Sequence, residues 1–413
     1  MMGAGEATPG RLHRGQAGAA LDPEDVVWIA LRHGVSVRRA LDSTAALVSP
    51  PHMGRLRRTG LIAALVGAPL ALAWRFAHVY RDRAGTPQPH PPGYTPADFG
   101  LAFDDLMVRT ADGLDLPAWF VPAEGGRPGP GVLLIHGWES ARDRTLPNVQ
   151  VLHAAGFHCL TIDIRGHGAN QREIMPISAG EFGSDAASGF DALLARPEVT
   201  VGGILGHSMG SIGGLLAAAS DSRVAAVVAT STPGDPDRLT RETFRLARLP
   251  IPGPVAWPLA WLTTRIYLRP RGHRAEGIAS SRAIARYRGP VLLVHGSADR
   301  VVPLAELDRL AMAARSNPAR VVDRLVIEGG QHSWLYEHAA YRAALGRFFA
   351  KHLGGTLDPW EAAARAAAVE AVRLPDGEHR FGAVSAEPGG LRSLAGIVTG
   401  SAPADQRPAG DEA

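Results

Sequence analysis

Ser208 stands in Gly206-His207-Ser208-Met209-Gly210, between the apolar run Val201 to Leu205 and the Ala-, Gly- and Leu-rich stretch Ser211 to Ser220. The run reads as a buried strand and the stretch as a helix. A G-x-S-x-G at such a turn is the signature of a nucleophile elbow. Gly206 and Gly210 must then be small, because strand and helix pass almost in contact. The serine hydroxyl stands at the helix N-terminus, whose N–H groups face developing negative charge. The bland alternative is a glycine-rich turn that happens to hold a serine, and the presence of partners decides between the two.

A serine hydroxyl needs an adjacent base, and the base needs an orienting acid. In an elbow of this kind the chain order is Ser, then Asp or Glu, then His. Val291 to Val294 lead into His295-Gly296-Ser297-Ala298-Asp299, which puts Asp299 in a loop just past a buried strand. Leu325 to Ile327 lead into Glu328-Gly329-Gly330-Gln331-His332, which does the same for His332. Both positions are carboxyl ends of strands, the edge where open α/β sheets bind ligands. Ser208, Asp299 and His332 are the candidate triad.

The chain has 16 histidines, so the others need roles. His136, His167 and His295 are expected to be structural, and His207 to point away from the serine. There is no H-E-x-x-H, no cysteine pair and no G-x-x-x-x-G-K, so neither a metal nor a cofactor is expected. Asp185 and Asp191 fall on a predicted helix and read as solvated or structural.

Together these motifs resemble the α/β-hydrolase superfamily, over about three-fifths of the chain, Leu106 to Leu353. The resemblance includes His136-Gly137-Trp138 after the strand Val132 to Ile135, the turn Asp163 to Gly168, and the opening hairpin Val108 to Phe120. It implies a mostly parallel eight-stranded sheet with helices on both faces and a small helical cap. It also implies an oxyanion hole made by the N–H groups of Trp138 and Met209. The activity implied is hydrolysis of acyl bonds, carboxylic esters first, on a small molecule with an apolar chain. Peptidases, thioesterases and cofactor-free haloperoxidases share the same triad. A catalytically silent binding module at a membrane is the alternative of another class.

Composition agrees with that fold. The 413 residues are 46% hydrophobic, enough for one large domain plus extensions. Net charge is only +3, and Lys351 is the single lysine. No dense basic stripe with interleaved aromatics is present, so no nucleic-acid partner is expected. Oligomeric state is not legible. Cys159, the single cysteine, lies in a strand pattern and reads as a small core residue. Strands are predicted near residues 106–109, 115–121, 132–135, 157–162, 201–205, 224–229, 291–294 and 325–327. Most lack alternation, as parallel strands buried on both faces do. Helices are predicted at 146–155, 180–195 and 304–314. Residues 232–289 exceed what one crossover needs, and read as the cap. Its Trp257, Leu259, Trp261 and Leu262 are expected to cover an apolar acyl pocket.

The domain plan is an extension over 1–59, an apolar segment over 60–80, a Pro-rich linker over 81–100, the hydrolase domain over 101–353, and a helix with a tail over 354–413. As one helix, Gly60 to Tyr80 would span about 30 Å, a bilayer core. Its uninterrupted apolar part is shorter, and Ala71-Leu72-Ala73 resembles a cleavage site after a start at Met53. A single-pass membrane anchor, an export signal and a buried or amphipathic helix are the three readings. Asp25 to Val48 has the pattern of an amphipathic helix, and Trp360 to Val372 that of an Ala-rich one capped by Asp358. Ala84 to Pro96 reads as an extended spacer, so a chain starting near Pro96 is expected to be active. Met1 to Ala20 and Pro375 to Ala413 are expected to be disordered.

Overall fold

The computed structural model describes residues 55–87, 91–170, 176–316, 321–372 and 374, with side chains from residue 64 onward. The stretches read as disordered and the helix expected over Asp25 to Val48 lie outside these residues. The chain divides into two units, residues 1–69 and 70–413. Helix α1 (Arg55–Ala84) contributes its second half to the larger unit, to which all of the following belongs.

Eight strands form one sheet: β1 (Asp104–Arg109), β2 (Asp115–Val121), β3 (Gly129–Ile135), β4 (His158–Ile162), β5 (Val199–His207), β6 (Val224–Thr230), β7 (Val291–Gly296) and β8 (Val322–Ile327). Their order across the sheet is β1-β2-β4-β3-β5-β6-β7-β8. β2 pairs antiparallel with β1 and β4, and every other pair is parallel. The central strands are the unbroken apolar runs of the sequence, and β4 and β7 are buried along their whole length. Most strands differ from expectation by one to three residues at an end, and β3 begins at Gly129, three residues early. β5 runs on to His207, because that residue still pairs with Thr230 on β6. β8 begins three residues early; it lies at the edge of the sheet, where polar Asp323 and Arg324 face solvent without cost.

The helices α2 (Leu146–Ala154), α3 (Ala179–Leu194), α4 (Met209–Ser220), α5 (Pro236–Leu246), α6 (Gly253–Leu268), α7 (Ser280–Arg286), α8 (Ala305–Ala314), α9 (Ala339–Leu353) and α10 (Pro359–Ala368) complete the fold. One sheet face is covered by α3, α4, α7 and α8, with Phe182, Phe190 and Leu215 fully buried. The other is covered by α2, α9 and α10, with Leu146, Phe349 and Ala362 fully buried. This is the three-layer α/β arrangement that a mostly parallel sheet requires. The Asp358 carboxylate accepts from the N–H groups of Trp360 and Glu361, which starts α10 where the sequence placed a cap. Cys159 is buried in β4, and burial pushes its thiol up, as befits a core residue.

The interval between β6 and β7 splits in two. α5 and α6 pack on each other and form the cap. α7 instead joins the core layer, where Ala283, Ile284 and Tyr287 are buried. Trp257 and Trp261 do not face the core: they are 41% and 54% exposed. Arg241 stacks over the first at 4.6 Å and Arg265 over the second at 4.7 Å.

The end of α1 packs on this cap. Phe76 and Ala77 are buried, and Phe76 and Tyr80 each meet Phe244 of α5 edge-on at 5.5 Å. Past the helix, Ile177 N–H donates to Gly85 O at 2.9 Å, and the Tyr267 hydroxyl, which donates to Ile177 O, lies 3.4 Å from Ala84 O. Residues 84–87 are therefore fastened to the domain where the sequence suggested a free spacer. Ahead of Phe76, Leu70, Leu72 and Trp74 are exposed. Among the described residues no helix is long and apolar enough to cross a membrane.

Candidate active site

Ser208 sits between β5 and α4 with φ 52° and ψ −121°. A left-handed non-glycine backbone costs roughly 1–3 kcal/mol and persists only where neighbours enforce it. Both neighbouring glycines enforce it here. A Cβ on Gly206 would lie 2.5 Å from Gly210 O and from Ser211 Cα, the strand-to-helix contact foreseen in the sequence. A Cβ on Gly210 would lie 2.3 Å from His136 O and 2.4 Å from Ile135 O. Its need for smallness thus comes from the end of β3, not from β5. Ser208 N–H donates to Thr230 O at 2.9 Å, which ties the elbow to β6.

The loops after β7 and β8 bring the two partners to this serine. His332 Nε2 is 3.1 Å from Ser208 Oγ, and His332 Nδ1 is 2.8 Å from Asp299 Oδ2. An ionised carboxylate only accepts, so Nδ1 carries the hydrogen and Nε2 is free to accept from the serine hydroxyl. All three side chains are buried. Burial alone would raise the Asp299 carboxyl. Hydrogen bonds from His295, His332 and the Val302 N–H outweigh burial and hold it well below the usual carboxylate range. Asp299 Oδ1 also accepts from Val301 N–H, at 2.8 Å. The Ser231 hydroxyl donates to His332 O at 3.0 Å and fixes the backbone of the base.

Sequence reasoning missed part of this support. His295 Nε2 lies 3.0 Å from Val302 O and 3.3 Å from Asp299 Oδ2, so it braces the acid as well as its loop. His207 does not simply point away: its ring lies 5.0 Å from that of His332. Its Nδ1 is 3.2 Å from the Thr230 hydroxyl. No local signal marks either role, since both arise from contacts between loops distant in sequence.

Trp138 and Met209 flank the serine. Met209 is the first residue of α4, where N–H groups have no intrahelical partner. Gly137 brings the other loop within reach, since a Cβ there would be 3.3 Å from Ser208 Cβ. His136 anchors that loop. Its Nε2 accepts from Ile164 N–H at 3.1 Å and its Nδ1–H donates to Gly137 O at 2.7 Å. Burial lowers its pKa and keeps it neutral. The Trp138 ring rests on His167 at 5.0 Å and on Phe182 at 6.3 Å. Asp185 is buried and paired with Arg165, while Asp191 is exposed beside Arg223.

Two cavities lie beside the residues around the serine, one at Trp138 and Met209 and one at His332. One of about 110 Å³ lies between Trp138, Met209, the cap and α1, and its wall is mostly apolar. The other, of about 770 Å³, is lined by Gly137, Ser140, Arg144, Asn148, His332 and Tyr336. Trp257 and Trp261 line neither.

A sequence model of the alpha/beta hydrolase family matches residues 132–345. An uncharacterized protein of Mycobacterium tuberculosis is 30% identical over 231 residues, 55% of this chain and 72% of that protein. A polyketide transferase of Stachybotrys chlorohalonatus is 33% identical over 132 residues, 31% of this chain and 44% of its own length. Among solved structures, an esterase of Pyrococcus furiosus superposes with a TM-score of 0.52 at 20% identity, over 65% of this chain and 100% of the esterase, a likeness of fold. More than half of the chain, from the strand ahead of His136 to the helix beyond His332, thus matches one family, and the protein belongs to the alpha/beta hydrolase family as a hydrolase of that fold.

Proposed function

We propose that the protein hydrolyses carboxylic esters through an acyl-enzyme on Ser208. The observation that carries this reading is the unbroken line from Asp299 Oδ2 through His332 to Ser208 Oγ, at 2.8 and 3.1 Å. His332 Nε2 takes the hydroxyl proton as the oxygen attacks the ester carbonyl. The N–H groups of Trp138 and Met209 receive the oxyanion. As the tetrahedral adduct collapses, the ester C–O bond breaks and His332 passes its proton to the departing alcohol. Water then enters, loses a proton to the same nitrogen, and releases the acid and free serine. Asp299 holds the imidazole in the working tautomer and stabilises its charged form. The apolar cavity takes the acyl chain, and the larger, more polar one takes the alcohol and water.

A panel of p-nitrophenyl esters, an anilide and a thioester tests the reading, with a fluorophosphonate probe for the nucleophile. Wild type should turn over esters fastest and be labelled; Ser208→Ala should do neither. Preferred cleavage of the anilide or thioester would move the protein to a peptidase or thioesterase. Labelling that persists in Ser208→Ala would show that another residue is the nucleophile. The likeness to a polyketide transferase raises a second reading, in which an alcohol in the larger cavity replaces water as acyl acceptor. Ester product formed in the presence of added alcohols would favour it. We also propose that the exposed row ahead of Phe76 meets a lipid surface.

A further inference from the structure

We propose that the end of α1 is a wall of the acyl pocket, and that Tyr80 and Ala84 limit the acyl group to a short chain; this rests on the ester-hydrolase reading of Ser208. Three parts of the chain enclose the cavity beside Trp138 and Met209: the core through Ile212, the cap through Leu239 and Thr243, and α1 through Tyr80, Arg83 and Ala84. The α1 wall is held in place. The Tyr80 ring meets Phe244 edge-on at 5.5 Å and lies 6.3 Å from the Tyr267 ring. Just beyond, Gly85 passes so close to Pro176 that a Cβ on it would lie 2.2 Å from the proline Cβ. The hydrogen bond from Ile177 N–H secures Gly85 O, and the Tyr267 hydroxyl, bonded to Ile177 O, packs against Ala84 O at 3.4 Å.

The volume sets the length. About 110 Å³ is well below the ~300 Å³ at which drug-sized pockets begin. A long chain would have to pass the α1 wall to leave it. Met209, which follows the serine, lines the cavity together with Ile212 and Leu239, so the group that fits is a short aliphatic acyl chain rather than a charged one. Residues that the sequence assigns to an anchor and a spacer therefore select substrate.

The test is kcat/KM across p-nitrophenyl esters from acetyl to dodecanoyl, in the full chain. Wild type should peak near butanoyl. Tyr80→Ala removes an aromatic ring from the wall, and should raise the octanoyl-to-butanoyl ratio by at least 10-fold. Ala84→Leu fills space, and should lower the butanoyl-to-acetyl ratio by at least 10-fold. Trp261→Ala, on the exposed side of the cap, should leave the profile as it is. Should Tyr80→Ala fail to fold, Ala84→Leu decides alone. A folded variant with the wild-type profile overturns the α1 wall, and so does a wild-type optimum at dodecanoyl. Absence of fluorophosphonate labelling at Ser208 would instead overturn the hydrolase reading, so the two failures are distinguishable.

Discussion

His295 Nε2 lies 3.3 Å from Asp299 Oδ2, the same oxygen that His332 Nδ1 holds at 2.8 Å. The other neighbour of His295 Nε2 is a carbonyl, Val302 O at 3.0 Å, which can only accept. That nitrogen therefore carries a hydrogen, shared between the carbonyl and the acid. Hydrogen bonds to charged groups are worth about 1.5–3 kcal/mol, so His295→Ala should lower kcat roughly 10- to 100-fold. His332→Ala should fall to the level of Ser208→Ala, since members of such a unit fail together. Steady-state kinetics on one ester decide it; equal losses in both histidine variants would make His295 as essential as the base.

Asp299→Asn should cost about 10⁴-fold in kcat, because an amide stabilises the wrong imidazole tautomer. The KM should move little. A loss under tenfold would mean that Val301 and Val302 hold the loop and His332 without help from charge.

Gly210→Ala should disable the elbow without touching Ser208. Its Cβ would collide with the rigid backbone of Ile135 and His136, not with a yielding side chain. Overpacking of this sort costs typically 1–3 kcal/mol or more. Thermal unfolding should show a clear drop in Tm, and fluorophosphonate labelling should slow. An unchanged Tm with normal labelling would contradict the tight contact between α4 and β3.

The cap is latched to the core by a titratable pair. His273 Nε2 lies 2.6 Å from Glu181 Oε1, while Glu181 Oε2 accepts from the Ser178 N–H at 2.8 Å and from its hydroxyl at 2.7 Å. Burial would raise the Glu181 carboxyl, but the bonds from His273 and Ser178 prevail and its pKa lies below the ordinary value. A depressed carboxylate stabilises the fold above its unfolded pKa, about 4.3, and that gain is lost as pH falls through the folded value. Glu181→Gln should therefore be less stable than wild type at neutral pH, and the gap should narrow below about pH 4. Denaturant titrations at a series of pH values measure it; a gap that stays constant would remove the carboxylate from the latch.

The exposed Leu70, Leu72 and Trp74 are expected to draw the full chain to vesicles, and Leu70→Ser with Leu72→Ser to weaken that partition several-fold. Vesicle sedimentation reads it. Equal sedimentation of the wild-type chain and the double variant would assign the row to a protein contact.

Most of the triad was legible because each member follows a short apolar run at a strand end, where local pattern and topology agree. The elbow glycines were legible for the same reason, although the partner of Gly210 was not, since β3 is distant in the chain. The bracing by His295 and the packing of His207 on His332 depend on how two loops settle side by side. Sequence order carries no trace of that. The pattern over 232–289 reads as one cap block, yet α7 within it belongs to the core layer. The apolar pattern of Ala283 and Ile284 fits a cap helix and a crossover helix equally. The stretch after Tyr80 was misjudged for a related reason: Pro-rich composition reports local stiffness, not whether Gly85 has a partner at Ile177. A chain cut at Pro96 would lack Tyr80, Arg83 and Ala84, and with them one side of the pocket.

The contact of Phe76 with Phe244 also fixes an order of events in the making of the protein. Phe244 leaves the ribosome about 170 residues after Phe76, which at ~5–20 residues per second is a wait of roughly ten to thirty seconds. Through that interval the first-made helix has its aromatic face and no cap to receive it. That face stays uncovered by its own chain until residues 236–268 have been made, and the loops that carry Asp299 and His332 are made later still.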